Sequence, residues 1–186
     1  MTSIDDLTEE QFGHWLAGFI DGEASFNILK DVHHRQRTQP VTYYTRMVIH
    51  LRADDAPLLR AIHKRTGLGF VGGRPARSTR GGAIVGQAQA TWSVGGKSDA
   101  VALVKLLDRH PLMSKKARDY AIWRRAVANI AGKRRLGPWR PNDWSAVSAL
   151  KAELEAARRY VDPADEAEPR AVILPEDPRL PFGDAA

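Results

Sequence analysis

The residues best suited to chemistry lie in one short string, LAGFIDGEASF, at residues 16–26. Two carboxylates, Asp21 and Glu23, stand at the end of a predicted helix, just before a strand-like run that begins at Ser25. Carboxylate oxygens are the ligands that a hard cation such as Mg²⁺ prefers, and such a cation can polarise a phosphoryl oxygen. The string therefore predicts a site for a divalent metal ion, suited to phosphodiester hydrolysis.

A helix from about Glu9 to Asp21 must position these acids. Thr8 and Gln11 have the spacing of a capping box. Apolar residues then recur at helical spacing, at Phe12, Leu16, Phe19 and Ile20. Glu23 stands at the C-terminal end of this helix, where a negative charge opposes the macrodipole. A locally unfavourable residue often marks function, and Glu23 is the first candidate.

Two glycines, Gly18 and Gly22, lie four residues apart on one stripe of the same helix. A glycine inside a helix costs about 1 kcal/mol relative to alanine, so two of them require a compensating contact. Without side chains, this stripe would allow a second helix to approach closely. The glycines therefore predict a helix–helix seam with Glu23 at its rim.

A lysine pair near residue 115 is the second candidate. Ser114 has the position of a helix cap, which places Lys115 and Lys116 in the first helical turn. A cation is unfavourable there, because the N-terminal end of a helix already carries partial positive charge. We expect Lys116 to be functional, whereas Lys115 fits a solvated basic patch better.

The remaining elements follow from hydrophobic periodicity and from glycine and proline positions. The predicted strands cover residues 25–31, 41–53, 70–74 and 83–94. The later predicted helices are Pro57 to Thr66, a helix capped by Ser98, a helix capped by Ser114 and a last helix over about 143–160. The order αββαββα, followed by C-terminal helices, predicts an α+β fold with two hairpins.

Charge is distributed unevenly along the 186 residues, whose net charge is +6. From residue 162 onward there are seven acids and two bases, so residues 1–161 carry +11. We expect a folded basic domain over 1–161 and an acidic, proline-rich tail over 162–186. Such a basic excess is typical of nucleic-acid-binding domains, although a merely basic enzyme would show it too.

The chain contains no cysteine, which excludes disulfides and cysteine-ligated zinc. No apolar run reaches the length of a membrane span, and the acidic N-terminus lacks the basic and apolar regions of a signal peptide. We expect a cytoplasmic protein, whether in a bacterial, phage or organellar setting.

Strand alternation predicts which residues would contact DNA. With Phe26, Ile28, Met47, Ile49 and Leu51 in the core, the opposite sheet face is rich in arginine, asparagine and glutamine, which are base-reading types. The predicted contact residues of the strands are Ser25, Asn27, Tyr44, Arg46, His50, Arg52, Arg74, Arg77, Arg80, Gln87, Gln89 and Thr91. Lys133, Arg134, Arg135 and Arg140 are predicted to hold phosphates, and Lys115 is also predicted to contact DNA.

The string LAGFIDGEASF resembles the signature of the LAGLIDADG homing endonucleases, differing mainly in Glu23 for the last acid and Ala24 for the following glycine. The resemblance implies an αββαββα core with a saddle-shaped antiparallel sheet. It also implies that Glu23 binds the catalytic Mg²⁺, for which Mn²⁺ would substitute, and that Asp21 serves structure. Because the chain has one motif, the resemblance implies a homodimer that cuts both strands of a duplex. Ala24 would strain the helix exit if that exit required a positive φ.

The segment HPLMSKKARDYAIW resembles a second stretch of the family, in which the second lysine neighbours the attacking water and the phosphate. Lys116 matches that lysine. The family often carries a polar residue, commonly glutamine, at the end of the second strand, where this chain has Ala53. Arg52 or Asp54 could substitute for it.

Three functions remain open from the sequence. The first is a site-specific DNA endonuclease, which the joint presence of Glu23 and Lys116 favours. The second is a non-cleaving member of the same fold, either a DNA-binding regulator or an intron RNA maturase, which Ala53 favours. The third is a basic α/β domain with neither activity.

Overall fold

The computed structural model describes residues 3–31, 42–78, 84–132 and 141–159. Its helices are α1 (Glu9–Glu23), α2 (Ala56–Thr66), α3 (Lys97–Arg109), α4 (Lys116–Gly132) and α5 (Pro141–Ala157). Its strands are β1 (Ala24–Asp31), β2 (Thr42–Arg52), β3 (Phe70–Arg74), β4 (Arg77–Ser78), β5 (Ile84–Gly86) and β6 (Gln89–Val94). The predicted α+β fold, with an αββαββα core and C-terminal helices, is confirmed. The predicted acidic tail, 162–186, lies outside the described residues.

Four strands form one antiparallel sheet in the order β1-β2-β6-β3. In register, Phe26 faces Met47, Ile49 faces Trp92, and Val71 faces Trp92 from the other side. These side chains, and those two residues before and after them on each strand, point to the helices. Because successive residues of a strand point to opposite faces, the register also defines the other face of the sheet.

We call that other face the open face. Its members are Ser25, Asn27, Leu29, Tyr44, Arg46, Val48, His50, Arg52, Phe70, Gly72, Arg74, Gln89, Thr91 and Ser93. Most of these side chains are partly or fully exposed, whereas most of those on the helical face are buried. The sheet therefore presents one core-forming surface and one mainly polar surface.

The core lies between the sheet and the helices. Trp92 and Trp123 are its largest fully buried side chains, and Phe26 packs against the Trp123 ring at a centroid distance of 5.2 Å. Helix α1 contributes Leu16 and Ile20, both completely buried. Burial of side chains of this size supplies the main stabilising free energy of the fold.

Helices α3 and α4 are joined by a polar cluster at the edge of the core. The Tyr120 hydroxyl donates to Asp108 Oδ1 at 2.7 Å, and Arg124 donates to both Asp108 oxygens. Hydrogen bonds from Arg124, opposed by burial and aided by Tyr120, hold the pKa of Asp108 below its usual value. Burial, together with the Asp108 hydrogen bond, raises the pKa of Tyr120. The cluster fixes the direction of α4.

Two sequence-based predictions of element bounds are wrong. The strand predicted over 83–94 is interrupted: β5 ends at Gly86, and β6 begins only at Gln89. The two halves pair with different strands, since β5 pairs with β4 in a separate two-stranded sheet and β6 lies between β2 and β3. Between them, the Ala88 carbonyl accepts from the Ala53 N–H at 3.1 Å. Ser98 does not cap α3, because the N-cap is Gly96 and the Ser98 hydroxyl donates to Asp99 instead.

Residues 67–69 form a tight turn between α2 and β3. Gly67 and Gly69 both have a φ of 67°, the left-handed conformation that favours glycine. Around them, the Leu68 carbonyl accepts from Trp92 Nε1 at 2.8 Å, and the Gly69 N–H donates to Asp99 at 2.9 Å. The turn therefore fixes where β3 begins.

No helix in the described part of the chain is long and apolar enough to cross a membrane.

The two turn glycines provide a matched test of this architecture. A Cβ added at Gly69 would lie 2.1 Å from the Ser93 carbonyl oxygen, whereas a Cβ at Gly67 would meet nothing within 4 Å. We expect Gly67→Ala to lower the free energy of unfolding by about 1–2 kcal/mol, the cost of the left-handed conformation alone. Gly69→Ala should cost roughly 3 kcal/mol or more, because the backbone clash adds to it. Urea unfolding of both variants measures this, and equal losses would contradict the described turn.

Candidate active site and nucleic-acid interface

Glu23 is the last residue of α1, and the chain enters β1 directly after it. Ala24 has φ −81° and ψ 156°, an ordinary extended conformation, and its N–H donates to the Ile20 carbonyl. The exit from the helix needs no positive φ, so the expected strain at Ala24 is absent. Glu23 is exposed, and among the described residues its carboxylate has no hydrogen bond or ion pair. It is therefore accessible to a ligand from outside.

Asp21, two residues earlier, has the opposite environment. Its Oδ2 accepts from the backbone N–H groups of Met113 at 3.0 Å and Ser114 at 2.8 Å. Its Oδ1 accepts from the Ser114 hydroxyl at 2.6 Å. The Asp21 carboxylate thus binds the connection between α3 and α4 to the end of α1, and its acceptor sites face inward.

The same connection positions Lys116. The Ser114 oxygen accepts from the Lys116 backbone N–H at 3.1 Å, which is the cap that the sequence predicts. The Lys116 ammonium then donates to the Gly22 carbonyl at 2.9 Å. Gly22 directly precedes Glu23, so the ammonium lies beside the backbone of the candidate metal ligand. Lys115, one residue earlier, is exposed.

The environment of Asp21 changes its pKa. Burial raises it, but hydrogen bonds from the Ser114 side chain and from the Met113 and Ser114 backbone, with the charge of Lys116, outweigh burial. The net pKa lies below the ordinary value of 3.8. Asp21 is therefore ionised at neutral pH and is held in place by its partners.

The donors present at this end of α1 fit a hard divalent cation. Glu23 offers a free carboxylate, and Mg²⁺ is commonly bound through one or two carboxylates, waters and substrate phosphates rather than by a full protein cage. No cluster of three or more histidine or acidic side chains with metal-binding geometry occurs within the described ranges. Of the two carboxylates at this end of α1, Glu23 is the one that has no partner among the described residues.

The open face carries most of the residues predicted to contact DNA, and several are already oriented. His50 Nδ1 and Thr91 Oγ1 are 2.9 Å apart, which leaves the other ring nitrogen of His50 for a ligand. The Arg46 guanidinium lies over the Tyr44 ring, 5.5 Å from its centroid. Side chains held in one geometry lose less entropy on binding.

Arg52 is paired within the chain, a contact that the sequence does not predict. Its guanidinium donates to both oxygens of Asp54, at 2.8 and 3.2 Å, and both side chains are largely exposed. An exposed pair of this kind is worth little, about 0 to 1 kcal/mol, so DNA could compete for Arg52.

The other predicted contact residues lie partly on the open face and partly outside it. Ser25, Asn27, Arg74 and Gln89 lie on the open face, but Gln87 lies between β5 and β6, and Arg77 lies on the separate β4–β5 ribbon. Both of these are exposed. Arg80, Lys133, Arg134, Arg135 and Arg140 lie outside the described residues.

Ala53 follows β2 directly and begins a short 3₁₀ turn, Ala53–Asp55. It is exposed, and its N–H donates to the Ala88 carbonyl. The position has no polar side chain, as the sequence indicates.

Phe70 is a candidate contact residue that the sequence analysis did not predict. Its side chain is 62% exposed on the open face, although a phenyl group is an ordinary core residue. The signal is present in the sequence, since Phe70, Gly72 and Arg74 alternate along one strand, and Arg74 is predicted to contact DNA.

Comparison with known proteins identifies the class to which this fold and this site belong. The family model described as LAGLIDADG endonuclease matches residues 16–127, more than half of the chain. The chain therefore belongs to the LAGLIDADG endonuclease family. No protein with a curated description matches it.

Solved structures share the fold. One is the LAGLIDADG meganuclease I-AabMI bound to uncleaved DNA, at 24% identity and TM-score 0.60, covering 77% of this chain and 44% of that one. Another is the homing endonuclease I-SmaMI bound to cleaved DNA, at 21% identity and TM-score 0.61, covering 79% and 45%. A third is the homing endonuclease I-TnaI, at 20% identity and TM-score 0.59, covering 78% and 94%. This chain thus spans less than half of the first two proteins and nearly all of the third.

Replacing Asp21 by asparagine tests the junction. An asparagine amide at this position cannot accept from three donors as a carboxylate does, and a lost hydrogen bond to a charged group costs about 1.5–3 kcal/mol. We expect Asp21→Asn to lower the free energy of unfolding by that amount at pH 7.

The pH dependence distinguishes this effect from a general loss of packing. A carboxylate with a lowered native pKa stabilises the fold above its ordinary pKa of 3.8, and this stabilisation disappears as the pH falls through the native pKa. The difference between wild type and Asp21→Asn should therefore shrink below that pH. Urea unfolding across pH measures it, with Asp54→Asn, which breaks an exposed pair, as the control. A difference that does not change with pH would contradict the assignment.

Proposed function

We propose that this protein is a site-specific double-strand DNA endonuclease of the homing type, which acts as a homodimer with a divalent metal ion. The observation that carries the proposal is the contrast at the end of α1. Asp21 is held by three hydrogen bonds, whereas Glu23 is exposed and has no partner among the described residues. An unpaired acid that directly follows the carbonyl bound by the Lys116 ammonium is free to take a ligand in a way that Asp21 is not.

Each residue has a distinct role in this proposal. Glu23 would hold the metal ion, Mg²⁺ or in its place Mn²⁺, which supplies Lewis-acid chemistry at the scissile phosphate when bound. Lys116 supplies a positive charge for the phosphate, and its bond to the Gly22 carbonyl keeps that charge beside Glu23. Asp21 would position Lys116 through Ser114 and take no part in the chemistry.

The open face supports binding to a duplex. Residues 1–161 carry +11, and the open face includes Arg46, His50 and Arg74. Arginine and lysine gain affinity for DNA by releasing condensed counterions, and arginine also reads guanine edges in the major groove. Since α1 leads directly into β1, the candidate metal ligand lies at the edge of this face.

A second copy of the chain would complete the site. Gly18 and Gly22 are exposed on α1, and a Cβ at either would meet nothing within 4 Å in the described residues. This bare stripe would let two α1 helices pack closely and bring two Glu23 residues together. The lengths of the related structures support this view. The match covers less than half of I-AabMI and I-SmaMI, which leaves length for a second unit in each, but it covers 94% of I-TnaI, which leaves none.

A non-cleaving function of the same fold is the second candidate. Ala53 favours it, because no polar side chain there could orient an attacking water. Such a protein would be a DNA-binding regulator or an intron RNA maturase, and it would bind without cutting.

Glu23→Gln separates these functions. The amide keeps the shape of the side chain but loses the charge that holds a cation, so we expect normal DNA binding and a loss of cleavage greater than about 100-fold. The assay selects bound and cleaved sites from a randomised duplex library in Mg²⁺ and in Mn²⁺.

Glu10→Gln is the matched control, because Glu10 is an exposed acid in the first turn of the same helix. It should cut as the wild type does. Equal cleavage by Glu23→Gln would overturn the assignment of the metal ligand. Binding by the wild type without cleavage in either metal would favour the regulator or maturase.

Dimerisation through α1 is tested by Gly18→Leu. A leucine on the bare stripe would hold the helices apart, so we expect the variant to sediment as a monomer where the wild type sediments as a dimer. Ala128→Leu adds a comparable side chain at an exposed position of α4, and this variant should still sediment as a dimer. A wild type that is monomeric both free and on its selected duplex would refute the shared site.

A further inference from the structure

An uncharged row of side chains crosses the middle of the open face. In register from β1 to β3 it contains Ser25, Val48, Ser93 and Phe70. Charged or polar side chains lie on both sides of this row, with Asn27 and Arg46 on one side and His50 and Thr91 on the other. The Phe70 ring is the most exposed large apolar group of this mainly polar face.

The Phe70 side chain is presented by a rigid support. It directly follows the turn at residues 67–69, where the Gly69 N–H donates to Asp99 and Leu68 accepts from Trp92. Its ring lies near Gly72, where an added Cβ would be 3.6 Å from Phe70 Cε2. The ring therefore lies along the β3 backbone and remains 62% exposed.

The exposed ring does not contribute to the core, and burial against a partner would remove its apolar surface from water. The positive side chains on the same face favour a polyanionic partner, as a DNA duplex is. In the major groove the thymine C5-methyl is the apolar group that proteins recognise, and phenylalanine is among the side chains that contact it.

We propose that Phe70 is a specificity-determining residue that reads a thymine by contact with its C5-methyl group. This inference rests on the proposed DNA-binding function and adds a base preference to it. Arg46 and His50, on the flanking rows, would hold the duplex while the ring contacts the methyl group.

Uracil provides a direct probe, because it pairs as thymine does and lacks only the methyl group. The full-length wild type is measured on a duplex recovered by selection, with Ca²⁺ replacing Mg²⁺ to slow cleavage, and each thymine is replaced by uracil in turn. We expect one thymine in each half-site whose replacement weakens binding about fourfold, the value of one buried methyl group.

Phe70→Ala should bind the thymine and uracil duplexes equally, and Phe70→Leu should keep part of the discrimination. Both should fold, since the side chain is largely exposed, and thermal unfolding checks this. Tyr44→Ala removes the other exposed aromatic ring of the open face; it should change binding to the thymine and uracil duplexes by the same factor and so leave the ratio between them unchanged.

The outcomes separate the two proposals. If the wild type selects no duplex, the proposed function fails and the Phe70 inference fails with it. If it selects a duplex but tolerates every uracil, or if Phe70→Ala discriminates as the wild type does, only the Phe70 inference is overturned. Weaker binding by Phe70→Ala without any dependence on the methyl group would also overturn it, since it would indicate stacking rather than thymine recognition.

Discussion

The carboxylate of Asp21 connects two parts of the chain that are more than 90 residues apart in sequence. It accepts from two backbone N–H groups and one hydroxyl of Met113 and Ser114, in the connection that leads into α4. Because Ser114 caps α4 and bonds Asp21 with the same oxygen, the register of α4 depends on α1. The placement of the Lys116 ammonium follows from this arrangement.

The absence of a linker between α1 and β1 couples the candidate chemistry to the sheet. Glu23 ends the helix, Ala24 is already buried as the first residue of the strand, and Ser25 is the first side chain of the open face. A shift of the helix would therefore move the carboxylate and the adjacent contact surface together. In the proposed endonuclease, such coupling would keep cleavage in register with recognition.

The periodic elements could be predicted from the sequence because they depend on local patterns. Apolar spacing in α1, alternation in β2 and the glycine that ends α2 are all visible in short windows. Contacts between distant residues could not be predicted in this way, since β5 and β6 pair with different strands and the partners of Asp21 lie beyond residue 110. The pairing of Arg52 with Asp54 is local, but it depends on side-chain conformations that the sequence does not show. Hydrophobic periodicity does not predict such contacts. Phe70 was missed for another reason, because phenylalanine is usually a core residue and is assigned to the core by its type.

The acids of this basic chain differ in what they contribute. Asp21 stabilises the junction, Asp99 fixes the turn before β3, and Asp108 joins α3 to α4, each through hydrogen bonds inside the chain. A carboxylate that is satisfied internally has little capacity left for a cation, because its lone pairs and charge are already used. Glu23 lacks such partners among the described residues, so it keeps both for an outside ligand. In the proposed endonuclease, Glu23 rather than Asp21 would therefore be the acid at the end of α1 that holds the metal ion.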